Sequence, residues 1–204
     1  MSCVIGTVFQ NFAIISGDTR LSKDSGETVS DRYSKVFKVN QNVLVGFTGS
    51  GNAVDVLNKN GIFDKDDCPS AEDYLEFLWL LLGNRVVNEP NHCNILVLGK
   101  SKMNYGFGGN FHMSDDDVQN QLHLTDHRNV WAPIMTPPNV DYEYYQDLVN
   151  SKVQFIIAEQ IISPVFSRGI AIKKIKEIHR EIILEISKID ESVNSNVEQH
   201  VIKW

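Results

Sequence analysis

The sequence predicts an α+β fold in which two antiparallel sheets stack between helix layers, and three observations carry that prediction. The first 49 residues hold four short β-rich runs joined by turn residues, which read as two hairpins in succession. Between residues 141 and 189 two long segments carry apolar residues at helical spacing. The order of elements is strands, two helices, strands, two helices and a final strand, which fits two antiparallel sheets stacked between helix layers. A chain of 204 residues with 42% hydrophobic content can bury one substantial core, so residues 1–204 are expected to form a single domain.

In the first hairpin, the runs Ser2–Phe9 and Phe12–Ser16, the latter followed by Gly17-Asp18, flank Gln10-Asn11, so Phe9 should pair with Phe12 and Asp18 should fall opposite Cys3. Residues 21–33 are polar and contain a glycine; they read as a loop with a short strand near Thr28-Val29. The second hairpin turns around Gln41, setting Val39 against Val43 and Lys35 against Phe47. Ser50-Gly51 then reads as a helix entry, with Ala53, Val54 and Leu57 at helical spacing up to Gly61.

Ser70-Ala-Glu-Asp is a near-capping-box start for a strongly apolar helix through Tyr74, Leu78 and Leu82. Asn94–Leu98 reads as a buried strand, and 102–111 as a second one, whose glycines Gly106, Gly108 and Gly109 imply a bulge or a close backbone approach. That glycine run is followed by no helix and is not a phosphate loop. Residues 114–117 are acidic and read as exposed. Trp131–Pro138 is a strand followed by a proline-stiffened loop. Of the two late helices, the first ends near Ser163-Pro164 and the second carries the stripe Ile172, Ile175, Ile178, Ile182, Ile186 and Ile189. Val197–Trp204 alternates as a closing strand.

The chemistry starts at Lys35. By the two-residue period it shares a strand side with Phe37 and Val39, a face that reads as buried, and a buried ammonium is costly unless a carboxylate meets it. Asp18 is the early carboxylate best placed to do so.

These residues carry a resemblance. A small hydroxyl residue starting the first strand, Gly17-Asp18-x-Arg20 ending the second, Lys35 opening the third and Gly46-Phe47-Thr48-Gly49 closing the fourth resemble the proteasome β-type family of N-terminal nucleophile (Ntn) hydrolases. Bacterial proteasome-like peptidase subunits are among its members. The resemblance implies the four-layer αββα sandwich and an amide hydrolase. In it Ser2, freed of Met1, would be nucleophile and, through its α-amine, general base, with Asp18 and Lys35 tuning it and the Gly49 N–H receiving the oxyanion. Arg20 and Ser195 carry over as supporting residues. Arg20 reads as a structural partner for Asp18 or for a nearby carbonyl. Active members usually begin with threonine, where this chain has serine. The Gly-Ser-Gly segment expected before the late helices is here Ile134–Pro138, and the nearest match to a late Asp-x-x-Ser is Ser192-Val-Asn-Ser195. A peptide or other amide substrate, a homo-oligomeric ring and an ATP-dependent unfoldase partner are likewise implied. The rival reading is a catalytically inactive ring or scaffold subunit of the same fold.

Composition sets the remaining bounds. A formal net charge of −7 disfavours nucleic acid or an anionic membrane as the main partner, and no apolar run approaches the ~20 residues of a membrane span. With no leader pattern, the expected location is cytoplasmic. Three widely spaced cysteines, Cys3, Cys68 and Cys93, read as reduced thiols, with Cys3 an alternative nucleophile. His123 and His127 stand four apart but lack a third ligand, so they read as surface histidines; neither a metal nor a cofactor is expected.

Overall fold

The computed structural model describes residues 2–22, 27–49, 58–59, 61–63, 65–83, 93–113, 118–124, 129–162 and 167–204. Along the chain these form β1 (Val4–Phe9), β2 (Phe12–Asp18), β3 (Leu21–Ser22), β4 (Thr28–Ser30), β5 (Val36–Lys38) and β6 (Val43–Gly49). There follow helix α1 (Ala71–Gly83), strands β7 (Cys93–Lys100), β8 (Gly106–Met113), β9 (Val118–Leu124) and β10 (Ile134–Met135), helices α2 (Tyr142–Ile162) and α3 (Arg168–Ile186), and β11 (Val197–Lys203). The chain is therefore mixed helix and sheet. The described strands form a four-stranded sheet of order β10-β1-β2-β11, a five-stranded sheet of order β5-β6-β7-β8-β9 and a two-stranded β3-β4 sheet, with every described pairing antiparallel.

Turn chemistry fixes the first register: Phe9 faces Phe12 across Gln10-Asn11, and the Asp18 N–H donates to the Cys3 carbonyl at 3.1 Å. In the second hairpin the Phe47 N–H reaches the Lys35 carbonyl at 2.8 Å and the Val39 N–H reaches the Val43 carbonyl at 3.1 Å. The order of the core follows from side-chain alternation. Phe12 and Ile14 of β2 join a cluster with Val149 and Val153 of α2 and Ile175 and Ile182 of α3. The alternate residues Ala13 and Ile15 meet Leu44, Leu96 and Leu98 of the other sheet. On that sheet's far side, Val45, Val97 and Phe111 pack with Tyr74 and Leu78 of α1.

The helix starts follow their caps. At α1 the Asp73 N–H donates to Ser70 Oγ at 3.1 Å while the Ser70 hydroxyl donates to Asp73 Oδ2 at 2.6 Å. At α3 the cap is Ser167, which accepts from the Ile170 N–H. The glycine cluster resolves as a close approach. A Cβ on Gly108 would lie 2.1 Å from the Trp131 ring, so only a glycine admits that indole, and Trp131 bridges to Val8.

Two strands are absent from the sequence reading, the two-residue β3 within the polar loop and β9. β9 pairs along β8, with Leu122 opposite Gly109, in a segment whose Gln119, Asn120 and Gln121 have weak strand preference. As the last strand of its sheet it needs few apolar residues, so its composition hid it. His123 therefore lies on a strand, without the helical spacing that would bring two rings to one face. His127, the acidic run 114–117 and most of the helix expected from Ser50 to Gly61 lie outside the described residues.

Candidate active site

Both hairpins deliver their polar residues to one end of the stacked sheets. Asp18 is the last residue of β2 and is fully buried, while Lys35 directly precedes β5 and is 3% exposed. The Lys35 ammonium donates to both carboxylate oxygens of Asp18, at 2.9 Å to Oδ1 and 2.8 Å to Oδ2. Strand alternation is not what buries the lysine. Phe37 and Val39 pack toward α1 and Val36 packs between the sheets, whereas Lys35, outside the regular strand, reaches across to the other sheet. Burial pushes the Lys35 ammonium below its ordinary pKa, and the adjacent Asp18 opposes that shift.

Asp18 also organises the start of the chain. Its Oδ1 accepts the Cys3 N–H at 2.8 Å and its Oδ2 the Arg20 N–H at 2.9 Å, so the carboxylate is ligated by two peptide groups as well as by the lysine. The Cys3 contact ties the peptide bond that follows Ser2 to the ion pair, and Ser2 itself is 5% exposed. The Cys3 thiol is fully buried, and burial followed by the Asp18 charge pushes its pKa well above the usual thiol range. A thiol held protonated in this way is a poor nucleophile.

At the facing strand end Gly49 has φ of +111°, in the region that L side chains rarely adopt, and it pairs with Cys93. A side chain there would strain the backbone that carries the Gly49 N–H. The register continues inward as the polar row Thr48, Asn94 and His112 across β6, β7 and β8. His112 Nδ1 lies 2.6 Å from Asn94 Oδ1, which can only accept, so Nδ1 carries the proton.

The supporting residues sit differently from one another. Arg20 contributes its backbone N–H to Asp18, but its side chain turns away: Nε donates to Asp31 Oδ1 at 2.7 Å and Nη1 to the Glu191 carbonyl at 2.8 Å. Ser195 is exposed, whereas the preceding Val193 and Asn194 are buried. Ahead of it Asp190 Oδ1 accepts the Ser192 N–H at 2.8 Å and the Ser192 hydroxyl at 2.5 Å. Asp31, Asn194 and Asp190 were not among the residues the sequence pointed to. Asp190-x-Ser192 just after the last helix was the available signal; Asp31 and Asn194, 163 positions apart, gave none.

Comparison with known families bears on this end of the molecule. Residues 2–60 match the family model for proteasome subunits. The proteasome-subunit match spans β1 to β6, and so contains Ser2, Asp18, Arg20, Lys35 and Gly49, while Asn194 and the two late helices lie beyond it. No curated protein matches the chain. Among the described residues no cluster of histidine, cysteine or carboxylate side chains could hold a metal ion, and no helix is long and apolar enough to cross a membrane.

Proposed function

We propose that this protein is a proteasome-like N-terminal nucleophile hydrolase that cleaves peptides or related amides with Ser2 after Met1 is removed. The observation that supports this most is the buried Asp18–Lys35 pair tied through the Cys3 N–H to the residue after Ser2. In the proposed reaction the Ser2 hydroxyl attacks the amide carbonyl and its proton passes to the Ser2 α-amine, directly or through a water. The amine has an ordinary pKa of about 8, suited to that exchange at neutral pH. A nearby ammonium on Lys35 keeps the amine unprotonated and stabilises the alkoxide, and Asp18 holds the lysine in place. The Gly49 N–H takes the oxyanion. The protonated amine then passes its proton to the leaving amine, and water hydrolyses the acyl-enzyme by the same route in reverse.

The complete four-layer αββα sandwich, a homo-oligomeric ring and an ATP-dependent unfoldase partner belong to the same proposal. Exposed apolar residues on α2, Phe155, Ile161 and Ile162, support subunit contacts. That observation equally favours a second reading, an inactive ring or scaffold subunit in which the ion pair only fixes the fold.

Covalent labelling separates the two readings. With the hydrolase, an electrophile aimed at N-terminal hydroxyl nucleophiles adds one equivalent to a chain lacking Met1, and the adduct maps to Ser2. Full occupancy by Met1, or a chain that begins at Ser2 and takes up no label, contradicts the hydrolase and leaves the scaffold.

A further inference from the structure

Thr19 and Arg20, the dipeptide that follows Asp18, are held at nearly every polar atom. The Thr19 N–H donates to Asn194 Oδ1 at 3.0 Å, the Thr19 hydroxyl to the Asp31 carbonyl at 2.7 Å, and the Thr19 carbonyl accepts the Tyr33 N–H at 2.9 Å. Arg20 donates from Nε to the Asp31 carboxylate at 2.7 Å and from Nη1 to the Glu191 carbonyl at 2.8 Å. Asn194 closes the circuit, since its Nδ2 donates to the same Asp31 Oδ1 at 3.1 Å. Its amide orientation is fixed by chemistry: an N–H on one side requires Oδ1 there, and a carboxylate on the other requires the NH2.

Two side chains thus join three segments: the residues after Asp18, the loop 31–34 that leads into Lys35, and the turn after α3. Asn194 is 5% exposed and so is committed to these partners. We infer that Asn194 and Asp31 form an amide–carboxylate lock that positions the Asp18–Lys35 pair, making them positioning residues for the chemistry at Ser2. The inference rests on the hydrolase reading for its functional consequence, but its geometric content is independent of activity. Neither residue touches the reacting atoms. They act by fixing the two backbone segments that carry the carboxylate and the ammonium, which must stay within hydrogen-bond reach of each other to tune the amine of Ser2.

The test exchanges the two groups. Asn194→Asp sets a second carboxylate against Asp31 at the present 3.1 Å contact, and Asp31→Asn deprives Arg20 of its counter-charge. Combining Asp31→Asn with Asn194→Asp restores one amide and one carboxylate, an acceptor for the Thr19 N–H and the net charge. Each variant is read in two ways: kcat and KM on a fluorogenic peptide, and the side-chain Nζ/Cε resonances of Lys35, assigned by their loss in Lys35→Arg. The lock predicts that each single variant lowers kcat at least tenfold with KM within threefold and shifts the Lys35 resonances. The double variant recovers both to within threefold of wild type. Lys35 resonances unchanged in both single variants, or a double variant no better than the worse single one, overturn the lock. The resonances decide the question even if wild type hydrolyses nothing, an outcome that defeats the hydrolase reading alone. Asp31→Asn keeps the fold testable, because the Asp31 side chain is 48% exposed and the substitution is nearly isosteric.

Discussion

Replacing Lys35 by methionine keeps most of the side chain's bulk and removes its charge, leaving the Asp18 carboxylate alone at a position with no solvent exposure. Breaking a buried ion pair from one side costs about 3–5 kcal/mol, against about 0–1 kcal/mol for an exposed pair. Asp18 would still accept the Cys3 and Arg20 N–H groups, at 2.8 and 2.9 Å, so the lower end, about 3 kcal/mol, is expected. With a urea slope of about 2 kcal/mol/M, the unfolding midpoint of Lys35→Met should fall by about 1.5 M. Lys102→Met is the matched control. Lys102 lies 2.7 Å from Asp73, as close as the buried pair, but the two side chains are 55% and 27% exposed. Circular dichroism melts in urea should therefore show a clearly larger fall in midpoint for Lys35→Met than for Lys102→Met. Equal midpoints for Lys35→Met and Lys102→Met would refute the argument that the Asp18–Lys35 pair is desolvated.

Three further outcomes follow from the same geometry. His179 is fully buried between the hydroxyls of Thr7 and Ser16, each 2.9 Å from a ring nitrogen, and burial pushes its pKa down to about 3. Since the unfolded chain takes up this proton near pH 6.5, the stability due to a neutral His179 is complete above that pH. It is lost at about 1.4 kcal/mol per unit as pH falls toward 3, and His179→Gln should flatten that part of the pH–stability curve relative to wild type. Gly49→Ala should cost about 1–3 kcal/mol, because of the +111° φ, and lower kcat by shifting the N–H proposed to receive the oxyanion; unchanged melting and rate would remove Gly49 from the proposed site. Light scattering should give a mass several times the 23.1 kDa of one chain, and a monomer at micromolar concentration would count against the ring.

What the sequence made legible was local and covalently constrained. Two-residue and short turns set the registers that place Phe9 against Phe12 and Phe47 against Lys35, and the cost of an isolated buried charge pointed from Lys35 to Asp18. The direction of that lysine was not legible, because Lys35 stands just outside the strand whose alternation would have oriented it. His179 was equally hidden: a histidine within an isoleucine-rich helix gives no sign of partners on β1 and β2, 172 and 163 residues away. The same separation concealed Asn194 and Asp31, whose contact exists only once the turn after α3 folds over the loop before β5. β9 escaped because an edge strand can be built from glutamine and asparagine, provided its neighbour supplies the ladder.

Whether Ser2 carries the attacking oxygen is decided by turnover of a fluorogenic peptide by wild type and by Ser2→Ala, both freed of Met1 and verified by intact mass. Alanine keeps the free α-amine and nearly the same volume but lacks the hydroxyl, so hydrolysis should fall to background while the melting curve and the assembled mass stay those of wild type. Hydrolysis by Ser2→Ala at the wild-type rate would contradict that role for Ser2.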